Sequence, residues 1–264
     1  MSDGDVGINA TQPHPARIYD YYLGGKDNFP ADREVGDQIL ALAPESRDNA
    51  RTNRAFLRRV VRFLAAEAGI RQFLDIGTGL PTQGNVHEVV QAVAPDARVV
   101  YVDFDPIVLS HGRALLAGEQ VVIVQGDLRD PGSILEHPEL REVLDFEQPI
   151  ALLLVAILHF IHDRDDPAGI LARLRKALAP GSYLAISHAT GDFDPERMVE
   201  ALKIYRGMLV PRSHAEVEGF FEGFDLLDPG LVEVQRWRPD AETKTSPLPV
   251  PIYGGVGRLR SASG

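Results

Sequence analysis

The sequence predicts an α/β fold built on a parallel, doubly wound sheet. Short apolar runs alternate with amphipathic stretches along most of the chain, which is the pattern of repeated β-α units. The apolar runs are continuous rather than alternating, which is typical of strands covered by helices on both faces. Five such strands are predicted, at residues 72–75, 98–103, 121–125, 150–154 and 183–187.

The residues at the predicted helix starts also support this fold. Four predicted helices begin with Asp-Pro, where the carboxylate can cap free backbone N–H groups and proline takes a position that needs no N–H. The capping aspartates are Asp105, Asp130, Asp166 and Asp194. The predicted helices between and after the strands span residues 83–93, 106–116, 131–144, 167–178 and 195–206.

The C-terminal part is expected to complete the sheet. Ser213 and Glu216 form a capping-box pattern, which predicts a further short helix. Residues 226–227 and 231–236 are predicted to be a closing pair of antiparallel strands. The proline-rich segment 239–251 is predicted to be a loop.

The N-terminal part has a different pattern and divides the chain. Residues 1–12 are small and polar and are predicted to be a disordered tail. Residues 13–68 are predicted to form a helical cap or lid that ends in a long helix from residue 46, and residues 69–264 form the α/β domain. One side of the long helix is expected to be a solvated arginine face, formed by Arg51, Arg54, Arg58, Arg59 and Arg62.

Composition narrows the function classes. The 264 residues carry 27 Lys and Arg against 38 Asp and Glu, a formal charge of −11. An acidic chain gains little from counterion release, so nucleic acid is not an expected partner. Cysteine is absent, which excludes disulfides, thiolate catalysis and zinc–thiolate sites. Without a signal-like start or an apolar span of about 20 residues, we expect a cytoplasmic protein that does not cross a membrane.

A ligand site is predicted where the first strand ends, at residues 75–79, Asp-Ile-Gly-Thr-Gly. The glycines allow a sharp turn and a close approach to a ligand. The dinucleotide fingerprint would need a further Gly or Ala where Thr82 stands, so a pyrophosphate is not favoured. Asp75, just before the turn, suits a cationic ligand. S-adenosylmethionine (SAM) carries a sulfonium and an ammonium and has no phosphate.

Acidic residues follow the next two strands. Asp103 ends the second strand, where a carboxylate can accept both hydroxyls of a ribose. Asp127 follows the third strand and is predicted to accept from an adenine amino group, with Leu128 packed on the ring. Each acid alone is equally well explained as a turn or cap residue. Together with the glycine turn, the set indicates an adenosyl ligand.

The same segments resemble class I SAM-dependent methyltransferases. More closely, the chain resembles the actinobacterial SAM-dependent methyltransferase family once listed as a domain of unknown function, the DUF574 group. The Tyr- and Gly-rich N-terminal block makes this resemblance specific, and it extends from about residue 13 to residue 258. The matching segments are residues 17–29, 50–57, 73–82, 102–106, 158–160, 187–188 and 255–258.

The resemblance implies a Rossmann-like class I fold, with a seven-stranded, mostly parallel sheet whose last strand is antiparallel. It implies SAM as the cofactor and methyl transfer as the reaction. Asp75, Gly77 and Gly79 would bind the methionine part, Asp103 the ribose, and Asp127 with Leu128 the adenine. The full predicted cofactor site is Tyr22, Asn28, Arg51, Asp75, Gly77, Thr78, Gly79, Asp103, Phe104, Asp127 and Leu128.

The sequence says less about the residues that contact the methyl acceptor. His159 follows the fourth strand and is either a general base or positioning group, or a loop-capping histidine. Tyr19, Tyr22 and Phe29 are either a lid over the ligand or an aromatic plug. Asn28 and Arg51 are predicted to reach the methionine carboxylate or the acceptor. A metal site is not expected, although four candidate ligands lie close together in sequence, at His162, Asp163, Asp165 and Asp166.

The predicted function is methyl transfer from SAM to a small-molecule acceptor, with a homodimer left open. Two alternatives remain. One is a SAM-binding sensor or partner subunit without catalysis, since no catalytic signature stands out. The other is a nucleotide-linked oxidoreductase on the same fold, which the missing third glycine disfavours.

Overall fold

The computed structural model describes residues 9–81, 84–115, 120–241, 243 and 245–260. Within them the helices are α1 Pro15–Leu23, α2 Pro30–Leu42, α3 Ser46–Ala66, α4 Val86–Gln91, α5 Pro106–Leu115, α6 Pro131–Leu135, α7 Pro138–Val143, α8 Pro167–Ala177, α9 Pro195–Ile204 and α10 His214–Gly219. The strands are β1 Gln72–Ile76, β2 Arg98–Asp103, β3 Val121–Gln125, β4 Ala151–Val155, β5 Tyr183–Ala189, β6 Phe224–Leu226, β7 Val232–Glu233 and β8 Ile252–Leu259.

These strands form one sheet in the order β3-β2-β1-β4-β5-β8-β6. Neighbours among β1 to β5 are parallel, and β8 is antiparallel to β5. The main path therefore has seven strands with a reversed C-terminal strand, as expected, and β7 is a two-residue addition that also pairs with β8. The chain order reverses between β1 and β4, so the carboxyl ends of β1, β2 and β4 meet at a topological switch point.

The predicted closing pair of strands is wrong in its pairing. β6 and β7 do not pair with each other in the described structure; each pairs antiparallel with β8, opposite β5. Residues 234–236 of the predicted second strand form a 3-10 turn instead. β8 has three glycines among its first six residues, so its apolar pattern is weak and sequence analysis missed it.

Both faces of the sheet are buried, which confirms the interpretation of the continuous apolar runs. Phe73, Val99 and Ala151 contribute to one apolar core, which α3 covers with Phe56 and neighbouring residues. The next residue along each of these strands points to the opposite face, where Leu74, Val100 and Leu152 contribute to a second core. Leu171 and Leu174 of α8 cover this second core.

The predicted helix caps are confirmed. Asp130, Asp166 and Asp194 each accept a hydrogen bond from the backbone N–H three residues later, and Asp105 accepts one from Ile107 at 2.9 Å. Ser213 and Glu216 form the expected capping box at the start of α10.

Two predicted helices differ in extent. The helix predicted over residues 131–144 is divided into α6 and α7. Pro138 explains the division, because proline lacks the N–H for the helical hydrogen bond and disfavours helical backbone in the residue before it. The helix predicted over residues 83–93 is reduced to α4, and its first residue, like Thr82, lies outside the described residues.

The N-terminal helices pack on one another and on α9. Ile18, Tyr22, Val35, Ile39 and Ala50 form a small third core, against which side chains from α9 and the following segment also pack. Residues 9–12 of the predicted tail are described, and Gln12 accepts a 2.7 Å hydrogen bond from Arg17. In the described chain, no helix is both long and apolar enough to span a bilayer.

One residue of the predicted solvated arginine face is buried. Arg59 donates hydrogen bonds to the backbone oxygens of Val234 at 2.6 Å and Trp237 at 3.1 Å. The expectation is therefore wrong for Arg59, which anchors α3 to the C-terminal segment. Spacing along a helix does not reveal which distant segment packs on it.

Candidate active site

The turn after β1 requires its glycines. Gly77 and Gly79 have φ values of +77° and +68°, in the left-handed region that favours glycine. A Cβ on Gly77 would also lie 2.5 Å from Cγ1 of Ile157, on the loop after β4. The Gly77 N–H donates to the Val102 carbonyl at 2.8 Å. The turn is thereby held between β2 and the β4 loop.

Asp75 and Asp103 lie next to this turn, at the ends of β1 and β2. Asp103 accepts a hydrogen bond from the Gly79 N–H on one oxygen and from the Asp105 N–H on the other, both at 2.9 Å. The Thr78 hydroxyl donates to Asp75 at 3.2 Å. Burial raises the pKa of each carboxyl to about 6. Each oxygen retains acceptor capacity for a ligand, since a carboxylate oxygen has two lone pairs.

Asp127 follows β3 and is paired locally. Both of its oxygens accept from the Nε of Arg129, each at 2.9 Å. Burial alone would raise the pKa of Asp127, but the hydrogen bonds and charge of Arg129 outweigh it, so the pKa is lowered. The neighbouring Leu128 is buried. Asp127 is therefore a stable carboxylate, with Arg129 as its partner.

One cavity of about 660 Å³ connects these residues. It extends from the ends of β1, β2 and β3, past the loop after β4, to the N-terminal helices and α9. Most of the predicted site residues lie in its wall. They are Tyr22, Asp75, Gly77, Thr78, Gly79, Asp103, Phe104, Asp127, Leu128 and His159.

Two predicted residues lie elsewhere, which corrects the prediction. Asn28 is buried among the N-terminal helices, where its amide donates to Asp20 at 2.8 Å and to the Gly25 carbonyl at 3.1 Å. Arg51 is exposed and pairs with Asp48 at 2.9 Å. Neither belongs to the cavity wall. Closeness to a motif in the sequence does not determine whether a polar side chain points toward the ligand.

The cavity-facing side of α3 is formed by other residues, which sequence analysis missed. Ala50, Asn53, Arg54 and Leu57 lie in the wall. Their spacing of i, i+3, i+4 and i+7 defines one helix face. That spacing was present in the sequence, but it identifies a cavity face only once the helix position is known.

The aromatic N-terminal residues separate into two groups. Tyr19 and Tyr22 lie in the cavity wall, whereas Phe29 does not and packs under the Arg17 guanidinium at 5.2 Å. The Tyr22 hydroxyl lies 3.1 Å from that of Tyr205, which follows α9 and was also missed. This hydroxyl pair joins α1 to the α9 side of the cavity.

His159 is held as a neutral imidazole. Its Nδ1 accepts a hydrogen bond from the Ala189 N–H at 3.2 Å. Burial, followed by the charges of His188 and Arg212, lowers its pKa well below the usual value. With Nδ1 as acceptor, the proton is on Nε2. His159 can therefore donate a hydrogen bond from Nε2 but has no lone pair free to take a proton.

Arg212 organises this corner of the site and was not predicted. It is buried and donates to the carbonyls of Leu158 at 3.1 Å and Ile161 at 2.9 Å, and to Asp163 at 2.6 Å. Its Nη1 also lies 3.1 Å from Nε2 of His188. Arg212 therefore joins the β4 loop to β5.

Two of the four candidate metal ligands have structural roles. Asp166 caps α8, and Asp163 pairs with Arg212. Across the ranges that the structure describes, no group of three or more His, Asp or Glu side chains is placed to hold a metal ion.

Comparison with known proteins gives the family. A family model described as S-adenosyl methyltransferase matches residues 2–260. The crystal structure of a DUF574 family protein from Streptomyces avermitilis is 47% identical, with a TM-score of 0.92, and the match covers 96% of this chain and 100% of that one. A candidate methyltransferase from Thermobifida fusca is 44% identical, with a TM-score of 0.90 and coverage of 98% and 99%.

More distant structures share the fold. A SAM-dependent methyltransferase from Anabaena variabilis is 14% identical, with a TM-score of 0.52, and the match covers 96% of this chain and 99% of that one. No curated protein matches the sequence. The family match and the two close structures confirm the predicted family and cofactor. The chain belongs to the S-adenosyl methyltransferase family and is a SAM-dependent methyltransferase.

Proposed function

We propose that the protein transfers the SAM methyl group to a small, mainly apolar acceptor that binds beneath the N-terminal helices. The observation that carries this proposal is the cavity of about 660 Å³, a volume within the usual range for small-molecule sites. One end of it is lined by the carboxylates at the carboxyl ends of β1, β2 and β3. The other end is lined by side chains of α2, α9 and the β4 loop.

The residues at the first end fit SAM. Asp103 would accept from the ribose hydroxyls, and Asp127 with Leu128 would contact the adenine. Asp75 and the turn at Gly77 and Gly79 would lie beside the methionine part. The turn can approach a ligand closely because neither glycine carries a Cβ. When bound, SAM supplies an electrophilic methyl group on a positively charged sulfur.

The second end of the cavity suits an apolar acceptor. Ile39, Leu42, Ile157, Phe160 and Met208 contribute to its wall. An apolar wall excludes water and aligns an apolar molecule at low entropic cost, which are the main requirements of a displacement at a methyl group.

Three charged side chains at this end are paired with each other. Arg197 forms ion pairs with Glu45 and with Asp194, the latter at 3.1 Å. Paired charges offer less attraction to a strongly charged acceptor than isolated charges would. This supports an acceptor whose bulk is uncharged.

His159 supports a positioning role over that of a general base. Its Nε2–H can donate to an acceptor oxygen, which keeps a second lone pair for the methyl group. A neutral amine has one lone pair, which the same hydrogen bond would occupy. We therefore favour methylation of oxygen, on an acceptor that binds with that oxygen already ionised. The C–S electron pair would then remain on sulfur, and no proton would have to be moved.

The test combines binding and turnover. Calorimetry should show binding of SAM and of its demethylated product, and SAM with a labelled methyl group should transfer label to small molecules in a cell extract. Binding of both with no transfer to any acceptor would favour the non-catalytic alternative. No binding of either at millimolar concentration would overturn the proposal.

A further inference from the structure

The amino-acid end of SAM carries a carboxylate and an ammonium, which need a cation and a hydrogen-bond acceptor. The three carboxylates after β1, β2 and β3 provide acceptors only. A cation that pairs with the SAM carboxylate would therefore come from elsewhere in the cavity wall. This requirement rests on the SAM cofactor of the family and does not depend on the acceptor.

The other arginines in the cavity wall lie away from the end of β1. Arg129 is bound by Asp127 after β3, and Arg197 is paired with Glu45 at the acceptor end. Arg164 is exposed on the 3-10 turn beyond the β4 loop. None of these three follows β1, where the methionine part is expected.

Arg54 of α3 lines the same cavity as Asp75 and Tyr19. It is in the cavity wall, and its charge is the largest effect that opposes the burial-induced rise in the pKa of Asp75. The same charge opposes the rise in the pKa of Tyr19. The guanidinium therefore acts electrostatically on both side chains across the cavity that all three residues line.

Asn53, the preceding residue, provides a buried acceptor. Its amide nitrogen donates to the Tyr19 hydroxyl at 3.1 Å, and that hydroxyl donates to the Ala50 carbonyl at 2.9 Å. These bonds fix the orientation of the amide. Asn53 is 1% exposed, and its Oδ1 is buried with no hydrogen-bond partner among the described residues. A buried acceptor without a hydrogen-bond donor lowers the stability of the protein, and a ligand that supplies the donor removes this penalty.

We propose that α3 of the N-terminal helices recognises the amino-acid end of SAM, with Arg54 binding the carboxylate and Asn53 Oδ1 accepting from the ammonium. A helix then completes the cofactor site, in addition to the turns at the strand ends. The completed site favours SAM that retains both its carboxylate and its ammonium group. The same helix face carries Ala50 and Leu57, which border the two residues in the wall.

The experiment is a binding cycle with the full chain. Calorimetry measures the affinity for SAM, for decarboxylated SAM, which keeps the ammonium, and for 5′-methylthioadenosine, which lacks both charged groups. The variants are Arg54→Ala and Asn53→Ala. Arg51→Ala is the matched control, because it removes an exposed arginine from the same helix.

Arg54→Ala should weaken SAM binding by about 10- to 100-fold, the range expected for a lost charge-assisted hydrogen bond, and should leave decarboxylated SAM within about twofold. Asn53→Ala should weaken both ligands by about 10-fold. Binding of 5′-methylthioadenosine should change by less than about twofold in every variant, which shows that the adenosine site is intact. Arg51→Ala should bind all three ligands like the unaltered protein.

Equal losses for SAM and decarboxylated SAM in Arg54→Ala would overturn the carboxylate assignment. Unchanged SAM affinity in both variants would overturn the role of α3, although the protein would still bind SAM. A failure of the unaltered protein to bind SAM would instead contradict the proposed function. A variant that loses 5′-methylthioadenosine as well would show a structural effect and count against the inference.

Discussion

The Gly79 N–H donates to Oδ2 of Asp103 at 2.9 Å, which joins the turn after β1 to the carboxylate that ends β2. The other oxygen of Asp103 accepts from Asp105, which caps α5. One side chain therefore fixes the relative positions of two loops at the switch point of the sheet. The glycine turn, predicted to bind the methionine part, and Asp103, predicted to bind the ribose, are therefore joined by a hydrogen bond.

Replacement of this carboxylate should affect binding more than folding. We expect Asp103→Ala to weaken SAM binding by about 10- to 100-fold, because the ribose hydrogen bonds and the tether to Gly79 are lost together. The protein should remain folded, because relief from burying a charged carboxyl offsets part of the cost of losing the two backbone hydrogen bonds. Calorimetry and thermal unfolding measure the two effects. Unchanged affinity would show that the ribose is bound by another residue.

SAM binding should depend on pH because burial raises the pKa of Asp75 and Asp103 to about 6. Below that value each carboxyl becomes neutral, so affinity should fall by about fivefold between pH 6 and pH 5 for each carboxyl that must be ionised. Calorimetry from pH 5 to pH 7.5 gives the profile. Asp103→Asn should show a shallower profile, and an identical slope would exclude Asp103 as a source.

The unliganded protein should show the opposite trend for the same groups. A carboxyl whose pKa is higher in the folded protein than in the unfolded chain binds its proton more tightly when folded. Its contribution to stability is present below about pH 4 and is lost as the pH rises through about 6. Urea unfolding of the unaltered protein and of Asp103→Asn, compared at pH 5 and pH 7, isolates this contribution. A difference that does not change with pH would contradict it.

The two glycines of the turn should differ in their tolerance of a side chain. Both have positive φ, which costs another residue about 1–2 kcal/mol. Only Gly77→Ala also places a Cβ 2.5 Å from Ile157, whereas a Cβ on Gly79 meets no atom within 4 Å. We expect a loss in unfolding free energy of about 3 kcal/mol for Gly77→Ala and about 1 kcal/mol for Gly79→Ala. Denaturant unfolding measures both, and equal losses would refute the close contact.

Arg212 should be required for the β4 loop. Arg212→Met would remove the buried guanidinium that donates to the carbonyls of Leu158 and Ile161, so we expect unfolding free energy to fall by about 3 kcal/mol and methyl transfer to fall with it. Asp163→Asn is the matched control. It removes the charge of the ion-pair partner, which is 82% exposed and should contribute less than about 1 kcal/mol. Similar losses in both variants would place the stabilisation in the ion pair.

Local features of this protein were determined by its sequence. The capping aspartates, the strands β1 to β5 and the glycine turn follow from short-range rules of hydrogen bonding and hydrophobic periodicity, and all are present in the structure. The acids at the ends of β2 and β3 were found for the same reason, because parallel strands bring their carboxyl ends to one edge.

Tertiary structure decided the features that depend on how distant segments pack. Arg51 and Arg54 are three residues apart with the same chemistry, yet only Arg54 lies in the cavity wall, because α3 packs on the sheet in one orientation. Arg59 became an anchor, and His159 a neutral donor, through partners more than 25 residues away in sequence. Such contacts arise from packing and cannot be read from spacing along the chain, since the same helix face meets solvent or protein according to the packing of the whole fold.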